Sequence, residues 1–381
     1  MIGKFTCPYC YGEHSISDCR LKCSYNIIGS SVKCKFGIQK YDDAAGYDWI
    51  PDAQIKKCLS CQEAAKQLFC KLFPGKEIPI EFLSMKSLPI ALLGAKASGK
   101  SNYIGVLVNE IRNRMASAFN TSLSMACSKE SKAEYDNEFY RPLYREGKKI
   151  LGTDGSKEIQ PLIFPLSFLN EKNKIINMAA LTFYDTAGEN LDDKNVMLTY
   201  NKYITNAKGL ILLLDPLQVP NIRKMLESKG YKGLPQQNTN TADVLDMVIS
   251  VIRGTKNTNK QIKIPLALVF TKLDVLEQYD VLPTDSSLRS ESTHIDRGAF
   301  IQQEFENTSI EMDTLFANLL KDDSQSISSY LNLFEKISFF GVSAFGGEAA
   351  DIPSKGIRPR RVLDPLLWLL AENRYIKTLK K

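Results

Sequence analysis

No apolar run in this 381-residue chain approaches the roughly 20 residues needed to cross a bilayer, and the longest, such as Gly209 to Leu214, are far shorter. A membrane span is excluded on that ground, and no secretory signal is expected. Surplus charge is equally scarce: Lys and Arg exceed Asp and Glu by 49 to 43, a net +6 that is mild for a dedicated nucleic-acid binder. The surplus sits in residues 355–381, and the rest of the chain balances. Paired cysteines are lacking too. The count is nine, an odd number with seven in the first 61 residues, which fits a secreted disulfide framework poorly. A reducing cytoplasm and a metal site are the better expectation. No internal repeat or long low-complexity tract is visible, and with 44% hydrophobic residues the chain can bury a sizeable core.

Composition changes near residue 84. Residues 1–84 are rich in Cys with little periodicity, whereas 85–381 alternate short apolar runs with amphipathic segments. Strands are expected at Leu88–Leu93, Ile159–Leu169, Ile175–Tyr184, Gly209–Leu214, Pro265–Phe270 and Ile337–Val342. Helices are expected at Lys100–Met115, Asp192–Asn206, Thr241–Arg253, Arg297–Leu320 and Pro365–Lys377. Such alternation predicts an α/β domain of three layers around a mostly parallel sheet. Two stretches, 116–155 and 216–263, are long for plain connections and read as insertions.

Gly94-Ala95-Lys96-Ala97-Ser98-Gly99-Lys100-Ser101 fits the pattern G-x-x-x-x-G-K-[ST], follows an apolar strand and opens a helical pattern, with Asn102 next in line. A polyphosphate needs many donors at close range, and such a loop offers backbone amides and a helix N-terminus. Lys100 would reach the β- and γ-phosphates, and Ser101 would ligate Mg²⁺. Asp185-Thr186-Ala187-Gly188 follows another expected strand; Asp185 can hold Mg²⁺ through water and the Gly188 amide can sense the γ-phosphate. Thr271-Lys272-Leu273-Asp274 and Ser343-Ala344 follow two more strands. There the Asp274 carboxylate can accept from guanine N1 and N2, Lys272 can pack over the ring, and the Ala344 amide can donate to O6.

Taken together, these four motifs resemble the Ras-like, translation-factor-related class of P-loop GTPases over roughly Leu88 to Lys381. The resemblance implies a GTP/GDP switch. T-K-x-D replaces the commoner N-K-x-D, which removes one side-chain amide near the phosphate loop. By analogy, the switch threonine is best placed at Thr153, a position that also reads as a turn residue between Gly152 and Gly155. Glu189 stands where Ras-like members carry the water-orienting glutamine, so slow intrinsic turnover is expected; Lys96 could neutralise phosphate or obstruct an arginine supplied by a partner.

Cys7-Pro8-Tyr9-Cys10 and Cys58-Leu59-Ser60-Cys61 are C-x-x-C knuckles whose thiolates could converge on one structural Zn²⁺. Neither opens a helix after a clear strand, so a redox pair is less favoured. Cys19, Cys23 and Cys34, with His14, could build a second site or be small core residues, and Cys70 and Cys127 offer no ligand pattern. A zinc ribbon ahead of a GTPase domain resembles the bacterial double-GTPase family, which implies protein partners and a conflict or antiviral setting. Two other readings stay open. One is a nucleic-acid-binding module built on the ribbon and the basic C-terminus; the other is a pseudo-GTPase that binds nucleotide without turning it over.

Overall fold

In a computed structural model of the chain, the residues described are 4–10, 12–15, 20–23, 49–51, 56–58, 65–70, 77–78, 88–94, 98–125, 129–150, 161–184, 201–236, 241–254, 261–319, 324–347, 352–353 and 356–380. Strands before residue 79 are short: β1 (Phe5–Thr6), β2 (Glu13–His14), β3 (Arg20–Cys23), β4 (Trp49–Pro51), β5 (Lys56–Cys58), β6 (Ala65–Phe69) and β7 (Glu77–Ile78). They pair antiparallel as β1–β2, β4–β5 and β3–β6–β7. The expected boundary between 84 and 85 lies outside the described residues.

Beyond it come β8 (Ile90–Gly94), β9 (Thr121–Leu123), β10 (Pro161–Leu169), β11 (Ile175–Tyr184), β12 (Gly209–Leu214), β13 (Leu266–Phe270), β14 (Phe300–Ile301), β15 (Ile337–Gly341) and β16 (Thr378–Leu379). The main helices are α1 (Lys100–Glu110), α2 (Lys129–Glu134), α3 (Pro220–Ser228), α4 (Thr241–Arg253), α5 (Leu273–Gln278), α6 (Gln302–Leu319), α7 (Ser324–Leu331) and α8 (Asp364–Glu372). No helix among the described residues is long and apolar enough to cross a membrane.

β8, β12, β13 and β15 form one parallel sheet in the order β15-β13-β12-β8. Successive side chains of a strand point to opposite faces, and the two faces have separate cores. Ile90, Leu92, Ile211, Leu213, Ala267 and Val269 pack with α1, α8 and the β10–β11 hairpin. Ala91, Leu93, Leu210, Leu212, Leu214, Leu266, Leu268 and Phe270 pack with residues of α3, α4, α5 and α6. Burial on both faces explains why these strands read as continuous apolar runs.

The expectation of a mostly parallel sheet needs one correction. β10 and β11, both at their expected places, pair antiparallel with each other, and β10 pairs antiparallel with β9 on its other side, in a separate ladder. Only residues 170–174 join them, and so short a turn cannot make the crossover that parallel pairing requires. Asn170 shapes this turn by accepting from the amides of Lys172 and Lys174. Between β8 and β11 a tyrosine takes the place of ladder bonds. The Tyr203 hydroxyl accepts from the Leu92 amide at 2.9 Å and faces the carbonyls of Ile90 at 3.1 Å and Thr182 at 3.0 Å, donating to one at a time.

Both long connections carry structure of their own. The first contains β9, α2 and a wider π-helical stretch over Tyr135–Arg145; the second contains α3 and α4. Tyr135 donates to the Gly105 carbonyl of α1, and a Cβ on Gly105 would stand 2.5 Å from Leu143 Cδ1, so a larger residue there would make the Leu143 side chain shift. α1 itself ends earlier than expected, passing into a π-helical turn over Ile111–Met115.

Candidate nucleotide site and cysteine cluster

The parallel register places Gly94 beside Leu213, Leu214 beside Phe270, and Phe270 beside Gly341, so the C-terminal ends of all four strands share one edge. Ligands bind at such edges in open α/β sheets. Gly94 closes β8 in a crowded place, where a Cβ would lie 2.5 Å from Ser98 Oγ and 3.2 Å from the Leu213 carbonyl. Gly99 precedes α1 with φ 83, a left-handed conformation suited to glycine, and α1 carries no side-chain cap. Its first-turn amides therefore face the loop as a ready anion site. Lys100 begins the helix and is buried, and Ser98 Oγ is buried with no hydrogen-bond partner among the described residues. An orphaned buried hydroxyl beside uncapped amides fits a polar ligand at this loop.

At Thr271–Asp274 and Ser343–Ala344 the side chains come together at the strand ends. The Thr271 hydroxyl lies 3.0 Å from the Ser98 carbonyl and 3.2 Å from that of Leu214, so it reaches the loop between β8 and α1. Lys272 has φ 54, and its ammonium pairs with Asp215 Oδ2 at 2.6 Å. The Ser343 hydroxyl donates to Asp274 Oδ1 at 2.8 Å and accepts from the Gly346 amide at 2.9 Å. Gly346 has φ 66, and a Cβ there would stand 1.7 Å from the Arg358 carbonyl, so that turn requires glycine. Ala344 follows, half-buried. Asn102 is engaged elsewhere: its amide accepts from the Ile150 N–H at 2.9 Å and donates to the Ile150 carbonyl at 3.2 Å, holding the chain just before 151–160.

Ala95, Lys96, Ala97, Thr153, Asp185, Gly188 and Glu189 lie outside the described residues; β11 ends at Tyr184, directly before Asp185. Asp215 was missed from sequence. It follows β12 as the motif residues follow their strands, and that shared position was its only signal. It is buried, and its other oxygen caps the Leu217 amide.

The cysteine cluster departs from the expected ligand set. Cys7, Cys10, His14 and Cys70 come together with one ligand atom each, all within 4.8 Å of one another, as a group that could hold a metal ion. Cys10 Sγ and His14 Nε2 are 2.8 Å apart. Cys70, which carried no sequence pattern, joins the knuckle directly after β6, because the fold returns that strand to the first hairpin. The expected partners differ: Cys58 ends β5, and its side chain, like Cys61, lies outside the described residues, as do Cys19 and Cys34. Burial, with hydrogen bonds and charge from Cys10 and Cys70, pushes the Cys7 thiol far above its ordinary value. At Cys10 the hydrogen bond with Cys7 favours the thiolate, but the one with Cys70 and burial outweigh it, leaving the thiol at about 11.

No protein-family model matches the chain. SaeC of Mycolicibacterium smegmatis (strain ATCC 700084 / mc(2)155), a proposed ESX-1 scaffolding and assembly protein, is 25% identical over 304 residues, covering 74% of each chain. Among solved structures, the GTPase-like domain of S. cerevisiae Ski7 bound to GTP matches at 15% identity and a TM-score of 0.34 over 76% of this chain and 50% of that one. Sup35 complexed with GDP matches at 11% identity and a TM-score of 0.23 over 69% of this chain and 38% of that one. The chain thus spans half or less of the length of these solved neighbours.

Proposed function

We propose that the strand-end edge binds GTP with Mg²⁺ and hydrolyses it slowly, and that the bound nucleotide switches contacts with a protein partner. The observation that carries this reading is the pair of cross-strand links: Ser343 orients the Asp274 carboxylate while Thr271 ties the same segment to the phosphate loop at Ser98. A carboxylate that only accepts, held by a donor on one oxygen, suits the N1 and N2 donors of guanine and has no match on adenine.

In this reading Gly94 to Ser101 wrap the phosphates and Lys100 neutralises the β- and γ-groups. Ser101, Asp185 and Thr153 hold Mg²⁺, which when bound offsets the charge that gathers on the transferred phosphoryl group. Gly188 senses the γ-phosphate and Glu189 orients the attacking water. Lys272, its ammonium fixed by Asp215, lays its stem along the base, and the Ala344 amide donates to O6. A scaffolding and assembly description for the SaeC relative agrees with action through protein partners, and the double-GTPase resemblance adds a bacterial defence setting in the cytoplasm. The nucleic-acid reading loses ground because two basic residues of the C-terminal cluster serve the fold. Arg360 pairs with Glu277, and buried Arg361 pairs with Asp364.

Competition titrations with GTP, XTP and ATP on the parent and on Asp274→Asn test the reading. The parent should prefer GTP. The substitution places a donor against guanine N2 and an acceptable partner against the xanthine O2; at about 1–3 kcal/mol for a mismatched buried polar group, preference should move by about fivefold to a hundredfold toward XTP. A parent that prefers ATP, or an unchanged ranking in the variant, overturns the guanine assignment.

A further inference from the structure

The described residues before Leu88 are held together differently from the rest of the molecule. Among the described residues, none before Leu88 belongs to either large hydrophobic cluster, and the strands there are two to five residues long. Among the described residues there, Phe5, Tyr9, Phe69 and Ile78 are buried outside both clusters. Small units of this sort usually need a covalent or metal cross-link.

We propose that Cys7, Cys10, His14 and Cys70 bind one Zn²⁺ as a closed, structural Cys₃His site that fastens the β1–β2 hairpin to the end of β6. Three sulfurs and one imidazole are soft or borderline donors that select Zn²⁺ over Mg²⁺ or Ca²⁺. Four protein ligands fill a tetrahedron and leave no open position for substrate. The distances suit the ion: with Zn–S near 2.3 Å and Zn–N near 2.0 Å, tetrahedral edges are about 3.5–3.8 Å. The four atoms already lie within 4.8 Å of one another, and Cys10 Sγ and His14 Nε2, at 2.8 Å, need only separate by less than about 1 Å.

Local structure delivers each ligand. The pairing of Phe5 with His14 sets the histidine opposite the strand that leads into Cys7, and the Cys7 amide donates to the Gly12 carbonyl to close the knuckle. A Cβ on Gly12 would stand 3.3 Å from His14 Nε2 and 3.6 Å from Cys10 Sγ, so a larger residue would crowd the ligands. β6, held between β3 and β7, brings Cys70 to the same point across some 60 residues of chain. The site owes nothing to the nucleotide reading and stands or falls separately.

The test is metal analysis on the purified full chain, alongside Cys70→Ser, His14→Ala, His14→Cys and Cys58→Ser. The parent should carry one zinc per chain. Cys70→Ser and His14→Ala should lose most of it, His14→Cys should restore it, and Cys58→Ser should keep it. Because a ligand variant can fail to fold, the parent is also alkylated before and after chelation, with the modified cysteines mapped by mass spectrometry. Cys7, Cys10 and Cys70 should react only after zinc is removed. A zinc-free parent, full zinc in Cys70→Ser, or protection of Cys58 and Cys61 in place of Cys70 overturns the proposal.

Discussion

The cysteine-bearing head and the parallel sheet differ in how each brings distant residues together. In the sheet, β8, β12, β13 and β15 are buried on both faces, and their parallel register alone aligns Gly94, Asp215, Thr271 and Ser343 along one edge. In the head, strands of two to five residues hold Cys7, Cys10, His14 and Cys70 together without a comparable apolar cluster among the described residues. A sheet positions its site through its core, so site residues can vary without loss of fold. Where the ligands themselves tie the structure, site and stability are one. Trp49 lies on β4 and Trp368 is buried in α8 against Phe340 and Phe305, so single-tryptophan variants can follow each region by itself.

The largest effect expected in the sheet region follows from its buried ion pair. Arg361, 4% exposed at the side chain, pairs with Asp364 at 3.0 Å and also donates to the Ser287 carbonyl. Arg361→Leu leaves the buried Asp364 carboxylate without its cation, held only by the Ser292 hydroxyl, and should cost about 3–5 kcal/mol. Urea denaturation followed on Trp368 should show the loss while zinc content stays at the parent value. Equal shifts of the Trp49 and Trp368 transitions would instead mean that the two regions unfold as one unit, breaking the contrast.

A smaller loss is expected at the wedge between β8 and β11. Tyr203→Phe removes the acceptor for the buried Leu92 amide and should destabilise by about 1–3 kcal/mol. The same denaturation measures it, and a neutral result would show that the strands close into a ladder once the hydroxyl is gone. Weakest of all should be a pH effect confined to this region. Burial lowers the pKa of His294, against the opposing pull of Asp364 and Glu304, and its Nδ1 accepts from the Ile301 amide. The unfolded chain therefore gains a proton near pH 6.5 that the folded state resists, so stability present above about pH 6.5 is lost as pH falls toward the folded pKa. His294→Gln should flatten that slope in denaturation series run between about pH 7 and pH 5.

Much of the sheet was legible because its signals are local. Ile175–Tyr184, Gly209–Leu214 and Thr241–Arg253 lie where their apolar patterns place them, since burial on two faces or one helical stripe must be written into contiguous residues. The pattern Gly94 to Ser101 is local in the same way, since it lies in one short stretch between β8 and α1. Thr271 was harder. A missing amide could be read from sequence, but not that a hydroxyl would reach the Ser98 carbonyl from 173 residues away.

By itself, the sequence determined the alternation of strands and helices, the order of the motifs at Gly94–Ser101, Thr271–Asp274 and Ser343–Ala344, and the close pair Cys7 and Cys10, because each depends on residues close in the chain. Only the tertiary structure decided that β10 and β11 leave the parallel ladder, that Asp215 holds Lys272, and that His14 and Cys70 complete the cysteine cluster. These depend on which strands become neighbours. Cys70 illustrates the difference: as a single thiol after an apolar strand it has no spacing to read, and it becomes a ligand candidate only because antiparallel pairing of β6 with β3 and β7 returns its end to the first hairpin.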